Sequence, residues 1–358
     1  MNTSPVPLYR KMAERIAASY VKGKSPGTRL PTVRDLELEM EVSFATIRAA
    51  LKVLETAGQI ERRQGSGTYV RQGTSLKKHV AVLLEADISD RRLSPFYLDL
   101  LQEVRLALLK HGLASRPYLG YLRVDVEIGE LTCREFLDEL EEEKICGVIS
   151  LFAKTHPTWS AEVAKRDLPV IGERGGANLP VTVDSAKLVA ATLQHFSARN
   201  RKRLAILRLK KETPGSIVAE LNAQAPAYGI SLEYFPISLN PDHRQQHLWE
   251  NFRAALNRTT GSPEGVFVSD DTLFEGFVHA TRDDYPFEDD DVVVYASDSV
   301  PLSSPFGFVC LRYSTRLKAQ LLAEAMSKKL RGEELPPRIA VPFTLLRSAE
   351  CAPNTALR

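Results

Sequence analysis

The 358 residues carry 47 Lys/Arg against 45 Asp/Glu, with 44% hydrophobic and 26% charged side chains. That balance describes an ordinary globular protein with room for two or three cores. No apolar run approaches the roughly 20 residues that cross a bilayer. The opening stretch MNTSPVPLYRKM holds no apolar signal region, so a cytoplasmic protein with no membrane role is expected. The charge is uneven: residues 1–78 hold 14 Lys/Arg against 7 Asp/Glu, net +7, and the rest hold 33 against 38, net −5. Positive charge concentrated on a small segment favours polyanions, through phosphate contacts and counterion release.

Residues 8–21 predict a helix, with Leu8, Met12, Ile16 and Tyr20 spaced to cover one side of a small core. Residues 22–27 (KGKSPG) read as a loop. Thr32 can cap a short helix carrying Leu36 and Met40. After a tight turn, Ser43 can cap a second helix that runs to Ala57 and ends at Gly58. On it Ile47, Leu51 and Leu54 form one apolar stripe, whereas Ala45, Arg48, Ala49 and Lys52 face away, small residues alternating with long cations. Two strand-like runs follow, 59–64 and 68–71, joined by Gly65-Ser66-Gly67. Helix, turn, helix and a glycine-tipped hairpin make the plan of a winged helix-turn-helix, whose second helix enters the major groove of DNA. We assign this domain to residues 1–72 and a polar linker to 73–78.

From His79 strands and helices alternate. Strands are expected at 79–85, 145–152, 170–172, 181–184, 204–208, 231–235, 265–269 and 292–296. Helices are expected at 95–111, ended by Gly112, and at 133–144, 186–196, 243–257 and 272–283. A last helix, 315–330, precedes a strand at 339–346. About ten strands in such alternation predict two doubly wound parallel sheets over residues 79–350. The acidic run 288–291 reads as a solvated loop. Cys133, Cys146, Cys310 and Cys351 are far apart in sequence and form no C-x-x-C pair, so reduced thiols are expected, with no metal or cofactor. Neither G-x-S-x-G, H-E-x-x-H nor a P-loop occurs, and no catalytic residue is assigned; the chain reads as a non-enzyme.

The segment LPTVRDLELEMEVSFATIRAALKVLETAGQIERRQGSGTYV, with PLYRKMAERI before it, resembles the DNA-binding domain of GntR-family bacterial transcription regulators. The resemblance implies DNA contacts from Arg34, Ser43, Thr46, Arg48, Lys52 and Gly65. The chain departs from it at Phe44, where the family commonly carries arginine. The segments HVAVLLEADISDRRLSPFYLDLLQEV, ICGVISL, LPVIGERGG, VTVDSAKLVAATLQHF, RKRLAILR, PEGVFVSDDTLFEGFVHA and VVVYASDSVPL resemble the two-lobed, periplasmic-binding-protein-like effector domain of LacI-type repressors. Together the halves are similar to arabinose-type repressors.

In open parallel sheets, ligands bind beyond the carboxyl ends of the strands. The candidates there are Asp87, Phe96, Tyr97, Glu173, Arg174, Asp270, Asp298 and Arg312. Carboxylates and arginines suit the vicinal hydroxyls of a polyol, and aromatic rings cover its apolar face. Asp271 reads as a cap for the helix near Thr272, and Asp184 as a loop or cap residue. Two departures weigh on a sugar ligand: residues 209–216 (LKKETPGS) are short and lack arginine, and Asp270 stands where the family has asparagine. The expected function is a homodimeric repressor whose binding to a near-palindromic duplex operator is controlled by a small polar, sugar-like effector between the lobes. The alternative is a DNA-binding regulator without effector, whose second domain only dimerises.

Overall fold

The computed structural model describes residues 7–351 except 22–23, 26, 57–58, 64–65, 71–77, 91–92, 123–133, 153–158, 174–176, 210–215, 238–245, 259 and 283–285. The chain divides into two compact units, Met1–Lys78 and His79–Arg358. Gly58, Gly65, Arg174, Cys133 and nearly all of the expected linker lie outside the described residues.

The first unit, the head, contains helices α1 (Leu8–Tyr20), α2 (Val33–Met40) and α3 (Phe44–Thr56). A hairpin follows, of β1 (Ile60–Arg63) and β2 (Gly67–Val70), antiparallel with Ile60 opposite Val70. Its core gathers Ala13, Ile16, Leu36, Met40, Ile47, Leu51, Leu54, Ile60 and Val70. On α1, Ile16 is fully buried, but Leu8 at the free end is 54% exposed rather than part of the core. The Tyr20 hydroxyl donates to the Glu39 carboxylate, tying α1 to α2. Thr32 and Asp35 form a capping box at the start of α2: Asp35 N–H donates to Thr32 Oγ1 at 3.3 Å, and Thr32 N–H to Asp35 Oδ2 at 2.9 Å. These bonds satisfy donors that a helix start otherwise leaves unpaired. Glu41 then adopts a left-handed φ of 56° and turns the chain into α3.

The second unit holds two sheets. One contains β3 (His79–Ala86), β4 (Ser115–Leu122), β5 (Ile145–Phe152), β6 (Val170–Gly172), β7 (Leu179–Val183) and β13 (Ile339–Val341), ordered β13-β7-β6-β5-β3-β4 and parallel throughout. The other contains β8 (Arg203–Leu209), β9 (Ser231–Ile237), β10 (Gly265–Val268), β11 (Val292–Ser297), β12 (Val309–Tyr313) and β14 (Phe343–Arg347), ordered β14-β12-β11-β10-β8-β9. Here β14 runs antiparallel to β12, so the expectation of wholly parallel sheets fails at this edge. The strand expected at 339–346 is two strands, β13 and β14, in different sheets. Pro342 between them has no N–H to continue a ladder, and the chain changes sheet there.

On the first sheet, α4 (Phe96–Lys110) and α11 (Thr315–Leu330) pack against each other and against one face. The other face is covered by α5 (Arg134–Glu141) and α6 (Ser160–Ala164), through Phe136, Leu140, Trp159 and Val163. The second sheet lies between α7 (Ser185–Ala198) with α8 (Ser216–Gln224) and α9 (Gln246–Leu256) with α10 (Asp271–Thr281). Layers on both faces explain why the central strands read as unbroken apolar runs. The chain passes between lobes near residues 184, 314 and 342. Asp184 caps α7 through Lys187 N–H at 3.2 Å and pairs with Arg338 at 3.3 Å, linking two of these crossings.

The acidic run 288–291 is not merely solvated. Asp291 is 1% exposed and accepts from Arg199 Nε at 2.8 Å and Arg201 Nε at 2.9 Å, while Glu288 pairs with Arg201 at 2.6 Å. Nor does distance in sequence keep all the cysteines apart. Cys310 and Cys351 are both buried in one cluster, and the neighbouring Cys351 thiol, with burial, raises the Cys310 thiol. Among the described residues no helix is long and apolar enough to cross a membrane.

Candidate functional sites

On the head, α3 buries Ile47, Ala50, Leu51 and Leu54, which leaves Phe44, Ala45, Arg48 and Lys52 exposed on the other side. Ser43, just before the helix, is exposed, and its hydroxyl lies 2.9 Å from the half-buried Thr46 hydroxyl. Thr46 N–H donates to Ser43 Oγ at 3.4 Å. Phe44 N–H donates to Glu37 Oε1 at 2.9 Å, so α2 holds the first residue of α3. Among the described residues Arg34, Arg48 and Lys52 make no ion pair, which leaves their charges available to a polyanion. On the hairpin, Arg63 stacks over the Tyr69 ring at 4.7 Å and bonds Glu61 at 2.8 Å.

In the second unit, the carboxyl ends of β6, β10 and β12 converge with the start of α4. Phe96 meets Tyr97 edge-on at 5.1 Å and Tyr313 at 5.7 Å, and Tyr97 meets Phe152 at 5.2 Å. Glu173 accepts from Lys318 Nζ at 2.7 Å. Lys318 is only 2% exposed, and its ammonium lies 5.3 Å from the Phe96 ring centre and 5.4 Å from that of Tyr313. A carboxylate and two aromatic faces therefore compensate a cation removed from water.

Across from these groups, Asp270, not Asp271, caps α10, accepting from Thr272 N–H at 2.9 Å and from the Thr272 hydroxyl. The expected cap is thus displaced by one residue. Asp271 instead accepts from Ser94 Oγ at 3.2 Å, a bond between lobes. Burial and then the neighbouring Asp270 charge push the Asp271 carboxyl up to about 7. Burial likewise raises the Tyr313 phenol.

Three candidates serve structure first. Asp298 Oδ1 accepts from Thr315 N–H at 2.8 Å, fastening the start of α11. Arg312 donates to the carbonyls of Cys351 at 2.8 Å and Asp298 at 3.0 Å. Asp87 accepts from Ser89 N–H at 2.9 Å and Ser89 Oγ at 2.6 Å, which shapes its own loop. The structure therefore gathers Phe96, Tyr97 and Glu173 around Lys318 and Tyr313, with Asp271 rather than Asp270 reaching this group through Ser94, and joins Asp298 to Arg312 at the ends of β11 and β12.

Residues 8–70 match the family model described as bacterial regulatory proteins, gntR family. The head is a gntR-type winged helix-turn-helix domain. Over 67 residues the chain is 45% identical to the mannosyl-D-glycerate transport/metabolism system repressor MngR of Escherichia coli, a match covering 18% of this chain and 28% of that one. Over 70 residues it is 34% identical to the transcriptional repressor YtrA of Bacillus subtilis, covering 19% and 54%. The gntR-type match thus spans about a quarter to a half of these curated relatives. The second unit has the LacI-type, periplasmic-binding-protein-like fold. It is similar to a probable maltose operon repressor from Staphylococcus aureus (TM-score 0.62, 12% identity, 78% of this chain and 100% of that one). A LacI-family regulator from Arthrobacter, solved with lactose, superposes with a TM-score of 0.57 at 16% identity, over 76% and 99%.

Within the second unit, sequence reasoning missed Lys318, Ser94 and Tyr313. In TRLKAQ the lysine sits between Arg316 and Gln320 and reads as a solvated helix cation. Only the packing of α11 against α4 and β6 reveals that it is buried.

Proposed function

We propose that this chain is a homodimeric DNA-binding transcription regulator, a repressor. Its hold on a near-palindromic operator is controlled by a small polar, sugar-like effector taken up between the receptor lobes. The α3 face carries this reading: Arg48 and Lys52, free of ion partners among the described residues, stand beside Ser43 and Ala45 on a segment of net charge +7. In a dimer the two α3 helices would enter successive major grooves, with Arg34, Ser43, Thr46 and Gly65 contributing further contacts. An effector with different affinity for two lobe arrangements shifts their populations and so the operator-binding state. The names of the gntR-type repressors and the lactose bound to the Arthrobacter regulator support this combination.

Selection of bound genomic fragments, with and without candidate sugars, tests the reading. Arg48→Ala is expected to weaken operator binding by roughly 1–3 kcal/mol if the guanidinium reads a base edge. Unchanged affinity in a gel-shift titration at fixed salt overturns that role.

One observation favours a second reading, in which the receptor only dimerises. Asp298 and Lys318 already bond inside the protein, as do the two terminal nitrogens of Arg312. A broad sugar panel that leaves the melting temperature unmoved supports that alternative, since a ligand bound to the folded state must raise it.

A further inference from the structure

Phe44 is the exception on its helix. The other large apolar side chains of α3, Ile47, Leu51 and Leu54, are buried, whereas the Phe44 ring is 44% exposed. It occupies the first residue of the helix, the end that a docked recognition helix directs at base edges. The ring is not loosely held. The backbone beneath it is bonded to Glu37, and one turn on the Arg48 guanidinium lies over the ring, 5.9 Å from its centre. Ala45 and Ala49 alongside add no bulk, so nothing on this face keeps the phenyl from close approach.

Among base edges in the major groove, the only apolar group is the C5-methyl of thymine. We propose that Phe44 packs on a thymine methyl in each half-site and that Arg48, held against the ring, takes the adjacent guanine. Phe44 is then a specificity-determining residue that writes a T·A pair beside a G·C pair into the operator. The inference rests on the DNA-binding function proposed above and adds to it the identity of two base pairs. Arginine at the same position would seek a second guanine instead, so the substitution changes the sequence read more than the mode of docking.

The test uses the full chain. Duplexes of about 30 base pairs are selected from a randomised pool, and the most enriched one is resynthesised with each thymine replaced in turn by deoxyuridine, which removes only the methyl group. At fixed salt the wild type is expected to lose roughly 3- to 10-fold in affinity at one thymine per half-site, the scale of one buried methyl. Phe44→Ala should bind the parent duplex more weakly by a similar factor and ignore deoxyuridine at that position. Phe44→Leu should keep part of the methyl sensitivity. Arg48→Ala should keep the methyl sensitivity but lose preference for the neighbouring guanine. A wild type indifferent to every replacement, or a Phe44→Ala chain still sensitive to it, overturns the inference alone. A pool that enriches no sequence overturns it together with the DNA-reading function.

Discussion

Ser94 donates its hydroxyl to Asp271 across the two lobes of the second unit, Oγ to Oδ2 at 3.2 Å, and the carboxyl that accepts it is pushed up to about 7. Burial is the main cause and the Asp270 charge the second. The unfolded chain would titrate this acid near its ordinary value of about 3.9. Between roughly pH 4 and pH 7 the folded state therefore binds more protons than the unfolded one, and this group's contribution to stability falls as pH rises. Asp271→Asn keeps a hydrogen-bonding group without the charge. The variant is expected to exceed the wild type in stability at pH 8 by up to about 4 kcal/mol, the gap closing toward pH 4. Denaturant titrations at both pH values check this, and a gap that does not change with pH refutes it.

Lys318 and Glu173 are unequal partners, the lysine side chain being 2% exposed and the glutamate 31%. Removing the lysine leaves a carboxylate that water can reach, whereas removing the glutamate strands a buried ammonium. Glu173→Ala is expected to cost roughly 3 kcal/mol and Lys318→Met less than about 1.5, since methionine also fills the space between Phe96 and Tyr313. Equal losses in chemical denaturation would contradict the asymmetry.

Asp291 joins Arg199 and Arg201 where α7 leads into β8, with both carboxylate oxygens engaged at 2.7–2.9 Å. Asp291→Ala is expected to destabilise the second unit by about 3–5 kcal/mol, because two cations lose their common anion in a largely buried place. Glu288→Ala, with its side chain 75% exposed, should cost under about 1 kcal/mol. Thermal unfolding of the two variants separates these outcomes.

Gly172 pairs with Ser150 between β5 and β6, and a Cβ there would lie 2.3 Å from the Ser150 carbonyl oxygen. The obstruction is backbone and cannot swing aside. Gly172→Ala is expected to cost about 2 kcal/mol or more and to disturb the adjoining Glu173. A variant as stable as the wild type would mean that the strands separate freely at this point.

Much of the head was legible because its rules are local. Thr32 with Asp35, the i, i+4, i+7 stripe of Ile47, Leu51 and Leu54, and the glycines of the hairpin each announce an element within a few residues. The strands of the second unit were legible where both faces are covered, as in HVAVLLEA and VVVYAS. What was missed depends on distant partners. Lys318 is buried only because α4 and β6 close over it, and Asp291 is internal only because Arg199 and Arg201 reach it. The single-residue error at Asp270 and Asp271 arose because either carboxylate could cap α10. The strand expected at 339–346 concealed a change of lobe whose one local sign is Pro342.

That last crossing has a consequence for synthesis. β14 completes a sheet whose other strands were translated well before it, so nascent β12 carries a free edge of backbone donors and acceptors until residues 343–347 leave the ribosome. Such an edge invites pairing with another nascent chain. A ribosome paused before this point would display a chain whose head is already complete while the edge of its second unit stays open to pairing, so the hazard of this topology belongs to synthesis and not to the finished fold.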